Sequence, residues 1–117
     1  MLAYSRAPGV GQNVYVSGTL PVDADGTLVG GDDAFLQARQ VLHLLQQALA
    51  DAGSSAAEVV RLRIYLRDSA DVPAVARAQF EVFETVRPAC TVLITDLAGP
   101  DYRVQMDADA VRAPASS

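Results

Sequence analysis

"VVRLRIYLRD", residues 59–68, decides the fold. Its residues alternate. Val60, Leu62, Ile64 and Leu66 fall on one face, and Arg61, Arg63, Tyr65 and Arg67 on the other. Side chains in a strand switch faces at every residue, so this segment predicts a strand with one face in a core and one polar face. A one-sided strand needs a sheet covered on a single side. The flanking sequence supplies the cover.

Upstream, residues 34–52 carry Phe35, Ala38, Leu42, Leu45 and Leu49 at helical spacing, with Val41, Ala48 and Ala52 widening the stripe. Asp32 or Asp33 is placed to cap this helix, and Gly53 stands where a C-terminal glycine belongs. Downstream, Asp71 is the expected cap of a second helix that tolerates Pro73 in its first turn. Its expected buried stripe is Val72, Val75, Ala76, Phe80 and Phe83, and "RP" at 87–88 ends it.

The remaining segments read as strands. "NVYVSGTLPV" (13–22) is β-branched and stops near Gly18 to Pro21. Asp25-Gly26 is a turn signal, so a short hairpin strand is expected at Thr27 to Val29. "CTVLITDL" (90–97) is apolar and reads as buried. "RVQMDADAV" (103–111) alternates, with Val104, Met106, Ala108 and Ala110 against Arg103, Gln105, Asp107 and Asp109. The order β-β-α-β-α-β-β predicts an α+β two-layer sandwich, with two helices on one face of a mixed sheet. The other face gathers arginines and carboxylates, to be solvated or shared between subunits.

Composition narrows the function classes. The 117 residues suit one domain, read as 1–112 with a flexible tail at 113–117. The net charge is −5 and the basic residues are all arginine, which argues against nucleic acid as partner. No apolar run approaches the roughly 18 residues of a membrane span. The start has no secretory pattern, and Cys90 is the single cysteine, so a cytoplasmic location is expected. No metal or phosphate motif is present, and no cofactor is expected. The one histidine, His43, shares a helix side with Arg39, Gln40, Gln46 and Gln47, and is expected to be exposed. Ser17-Gly18, at a strand end, offers a hydroxyl and a backbone N–H to a ligand, or simply ends the strand.

Several stretches together resemble the Rid (reactive intermediate deaminase, RidA/YjgF) family. "YVSGTLPVD" is similar to its "SGQIP" strand end, and "GGDDAFLQARQVLHLLQQALADAGSS" to its first helix. "EVVRLRIYLRD" resembles its "VVKTTVFL.D" strand, "RPACTV" its "RPARS.V" segment, and "RVQMDADAV" its closing "VEIEAIA" strand. The resemblance implies a chorismate-mutase-like fold, a homotrimer with clefts between subunits, and cofactor-free hydrolysis of imines or enamines to a carbonyl compound and ammonia.

The site carries over residue by residue. The resemblance implies substrate contacts from Tyr4, Ser17, Gly18, Thr91 and the position of Cys90, with Ser17, Cys90 and Gln105 as catalytic candidates. Three positions depart from the family's pattern. Cys90 replaces the arginine that grips a carboxylate, Gln105 replaces a glutamate, and Ala76 replaces a frequent asparagine. An arginine fork lost from a carboxylate costs on the order of 2–3 kcal/mol of binding. Glutamine cannot take a proton near neutral pH. Arg103 is a candidate substitute cation, and Asp107 a substitute acid.

These departures point to a small-molecule substrate without a carboxylate. Two other readings stay open: an enzyme using Cys90 as a nucleophile, and a trimer that binds a metabolite without turnover.

Overall fold

Val14, Val16, Leu62, Ile64, Leu66, Val104, Met106, Ala108 and Ala110 are all buried, and they belong to three neighbouring strands. Their alternate residues stay on the opposite face, as period-two patterning demands. The computed structural model describes residues 7–113.

Strands β1 (Gly9–Val10), β2 (Asn13–Thr19), β3 (Val59–Leu66), β4 (Ala89–Ile94) and β5 (Val104–Val111) form one sheet in the order β1-β2-β5-β3-β4. The β3–β4 pair is parallel, and the others are antiparallel. Helices α1 (Ala34–Asp51) and α2 (Val72–Phe83) supply the second layer. The expected two-layer α+β sandwich is therefore present, and so is the letter order.

The second strand of that order is a different one. Residues 27–29 make only an isolated bridge, Val22 to Leu28. The hairpin lies on the other side of β2, where Gly11 turns β1 into it at φ 61°. A strand of two residues carries no periodicity to read.

Helix α1 starts where the sequence placed it. Asp33 Oδ1 accepts the Leu36 N–H at 3.0 Å, which satisfies one orphan donor of the first turn. Gln37 is fully buried in this helix. Its Nε2 donates to the carbonyls of Gly31 and Asp101, and its Oε1 accepts the Arg103 N–H. Gly30, at φ 103°, lets the chain approach α1 so closely that a Cβ would lie 2.7 Å from the Gln37 nitrogen.

Four local expectations change in three dimensions. Val60 is 51% exposed, and Val59 takes the core position. The pairing shifts between Val59 and Arg61, so Val60 is the extra residue of a β-bulge. In α2, Val72, Ala76 and Phe80 are exposed, and Ala78 is buried with Val75 and Phe83. This helix packs chiefly on α1 and leaves the β3–β4 side of the sheet partly uncovered. Asp71 makes no side-chain cap, while Asp68 caps the short 3-10 turn at Ser69–Asp71.

Strand β4 is the fourth change. All six of its residues are exposed, although the run reads as buried. It is an edge strand paired only with β3, so neither face is fully covered within one chain.

Candidate active site

The sheet separates the candidate residues into two groups. The first lies on the polar face at the end of β2. Pairing slips between Val16 and Thr19, which leaves Ser17-Gly18 as a bulge. Bulges of this kind re-aim side chains and recur beside active sites. Thr19 is buried, and its hydroxyl donates to the Ser17 carbonyl at 2.9 Å. Gln105 packs on the bulge. A Cβ added at Gly18 would collide with its amide nitrogen. Ser17, Gly18 and Gln105 thus share one corner.

Beside that corner runs a charged row. Strand register sets Tyr65 opposite Gln105, Arg63 opposite Asp107, and Arg61 opposite Asp109. Asp107 accepts from Arg63 Nε at 2.7 Å and from the Tyr65 hydroxyl at 2.6 Å. The hydrogen bond to Asp107, together with burial, pushes the Tyr65 pKa above its ordinary value. Tyr65 therefore stays a donor at neutral pH and holds one carboxylate oxygen in place. Its role escaped the sequence, because it depends on Asp107 of β5 standing diagonally across from it, one pair beyond Gln105. The antiparallel alternation of β3 and β5 was the available signal.

The second group lies on the helix side. Register sets Cys90 beside Leu62 and Val92 beside Ile64, so both face the helices. Val72, Val75, Ala76 and Gln79 of α2 meet Cys90 and Val92 of β4 around a cavity of about 160 Å³ floored by β3. Cys90 and Ala76 are therefore brought together, as two of the three departures from the family's pattern. The lining has no formal charge. Burial among these side chains pushes the Cys90 thiol above its ordinary pKa, although the residue is exposed overall.

The other candidates fall elsewhere. Thr91 is exposed on the polar side, opposite Arg63. Arg103 precedes the first residue of β5, so strand alternation does not hold it beside Gln105. Its guanidinium bonds Asp32 Oδ1 at 2.7 Å and Asp71 Oδ2 at 3.1 Å. Arg67, just beyond β3, donates to the Gly99 carbonyl at 2.5 Å and the Tyr102 carbonyl at 3.1 Å, and so shapes the β4–β5 loop. His43 is exposed on α1. Tyr4 lies outside the described residues, as do residues 114–117 of the expected tail. Among the described residues, no group of three His, Cys, Asp or Glu could hold a metal ion, and no helix is long and apolar enough to cross a membrane.

Within one chain Cys90 and Gln105 stay apart. They lie on opposite faces of the sheet and two strands apart, roughly 10 Å along the hydrogen-bonding direction.

A two-layer α+β domain with a bulged serine-glycine strand end and an uncovered edge strand defines the class. The family model for Endoribonuclease L-PSP matches residues 1–112, and the chain belongs to this family, which is also the YjgF or Rid family. It is 39% identical over 93 residues to the 3-aminoacrylate deaminase RutC of Acinetobacter baylyi, covering 80% of this chain and 74% of that one. It is 30% identical over 110 residues to a RutC family protein of Pyrococcus abyssi, covering 93% and 86%. Its fold is similar to that of a Mycobacterium tuberculosis member of the YjgF/YER057c/UK114 family. That likeness has a TM-score of 0.83 at 34% identity, over 92% of this chain and 86% of that one.

Proposed function

We propose that this chain is a cytoplasmic, cofactor-free hydrolase of imines or enamines, working as a homotrimer on a substrate without a carboxylate. The deaminase name of the Acinetobacter relative supports the reaction class. The uncharged cavity at Cys90 and Ala76 carries the substrate assignment. A carboxylate placed there would lose its hydration with no cation to replace it.

The divided site supports an assembly whose clefts are shared between copies, as the family resemblance implies for a trimer. Cys90 on one face and the Ser17–Gly18–Gln105 corner on the other can converge only across two copies. The exposed apolar residues Val92, Leu93 and Ile94 of β4 give that contact an apolar edge.

In this reading, Ser17, the Gly18 backbone and the unpaired edge of β4 at Cys90–Thr91 orient the substrate. Gln105 positions water by hydrogen bonding. Asp107 is the carboxylate of the same face, two residues on, and takes the water proton. The oxygen bonds to the C=N carbon, the π pair moves to nitrogen, and Asp107 passes the proton it took from water to that nitrogen. The carbinolamine hydroxyl then gives its proton, through Asp107, to the same nitrogen as the C–N bond breaks, which releases ammonia and leaves a carbonyl group. Cys90 acts as wall: a thiol with a raised pKa is a poor nucleophile at neutral pH. Arg103, held by two carboxylates, has the lesser role of setting the position of the α2 start.

The test is an imine-trapping assay with the purified protein, its mass in solution measured alongside. Imines are generated from several amino acids and from one carboxylate-free amine, and semicarbazone formation is followed. The expected result is a trimer that suppresses trapping most for the carboxylate-free imine. A trimer that leaves every imine's trapping rate unchanged overturns the reading.

A further inference from the structure

The cavity between α2 and β4 has a size as well as a polarity. Its volume of about 160 Å³ gives room for a group of roughly benzene size, and its mouth, at Val72, Ala76, Cys90 and Val92, is open to solvent. The floor is Ile64 and Leu66, both buried, and the walls are Val72, Val75 and Val92. Gln79 and Cys90 are the lining residues with polar side chains. Such a space rewards a compact hydrocarbon group and penalises a charge.

We propose that this cavity is the side-chain pocket of the substrate, and that it takes a branched or aromatic hydrocarbon group of up to about six carbons. The substrate class is then an uncharged imine or enamine derived from a hydrophobic aldehyde or ketone. The inference rests on the imine-hydrolase reading. Ala76 sets the limit. It is the small residue of the α2 wall, it replaces a polar residue of the family's pattern, and it is exposed, so a larger side chain there enters the cavity without disturbing the core.

Two measurements test this independently. In the first, benzene is titrated into the 15N-labelled wild-type trimer and amide shifts are mapped. Shifts concentrated at residues 72–79 and 90–92, and at least several-fold weaker in Ala76→Leu, support the pocket. An absence of shifts there in the wild type overturns it, whether the space is closed or filled by a neighbouring copy.

In the second, kcat/KM is compared for the imines of acetaldehyde and 3-methylbutanal, whose branched group has four carbons. The wild type should favour the larger imine, and Ala76→Leu should lower the large-to-small ratio by tenfold or more. An unchanged ratio overturns the size limit. If benzene binds but neither protein hydrolyses any imine, the pocket stands and the hydrolase reading falls.

Discussion

Gly18 and Gln105 occupy adjoining space so closely that a single methyl group at Gly18 would displace the Gln105 amide. The bulge at the end of β2 and the first turn-out of β5 are thus one unit. The atom met is the far end of a flexible side chain, so relief is cheap in stability and costly in position. Gly18→Ala should therefore lower kcat/KM in the imine assay about tenfold or more. It should change the unfolding free energy by less than about 1 kcal/mol. A denaturant melt beside the kinetics separates the two. A large loss of stability with unchanged kinetics would show that the contact is only packing.

Cys90 faces an uncharged cavity and is exposed at its mouth, so there is room for a longer side chain. Cys90→Arg introduces a fixed-charge fork where the family keeps one. For imines made from amino acids, kcat/KM should rise about tenfold or more, through KM, because a charge-assisted pair contributes about 1.5–3 kcal/mol. For the carboxylate-free imine it should fall. Equal effects on both substrates would remove Cys90 from the substrate's acid end.

Gln37 joins three segments from inside α1, with hydrogen bonds of 2.7, 3.0 and 2.8 Å to Gly31, Asp101 and Arg103. Gln37→Ala leaves those backbone groups without this partner and opens a void. The expected loss is about 2–3 kcal/mol, or roughly 8–15 °C in Tm. A thermal melt under conditions that keep the assembly constant measures it.

Glu58 ties the start of β3 to the end of β5. Hydrogen bonds from the Ser54 hydroxyl and the Ala113 N–H hold its pKa below the ordinary 4.5, with Arg112 adding to the effect. A lowered folded-state pKa means that the ionised form is favoured by folding. This contribution is complete above the unfolded value and is lost as pH falls through the folded one. Wild type should therefore melt higher than Glu58→Gln at pH 7, and the gap should close on acidification below about pH 4.5. A gap independent of pH would assign the effect to shape and not to charge.

Much of the fold is legible because it depends on local period. Leu62, Ile64 and Leu66 alternate with Arg61, Arg63 and Tyr65, and Val104 to Ala110 do the same, so both strands declare their buried faces. The stripe of α1 and its Asp33 cap are equally local. The bulges are not. Whether Val60 or Val59 enters the core depends on pairing with β5, which lies far along the chain. The same holds for Ser17-Gly18, whose extra residue exists only relative to Met106 and Ala108.

By itself, the sequence determined the two-layer class, both helices, the polar sheet face and the three substitutions at Ala76, Cys90 and Gln105. Each of these is written in residue type and spacing along one segment. The tertiary structure decided that β4 is an uncovered edge, that α2 leans on α1 and leaves an apolar cavity behind it, and that Arg103 is held by Asp32 and Asp71. It also set Asp107 between Arg63 and Tyr65, and parted Cys90 from Gln105 across the sheet. The physical reason is that these are relations between segments brought together only by folding. Hydrophobic period says which way a side chain points within its own strand or helix, and strand order and register say what it then meets.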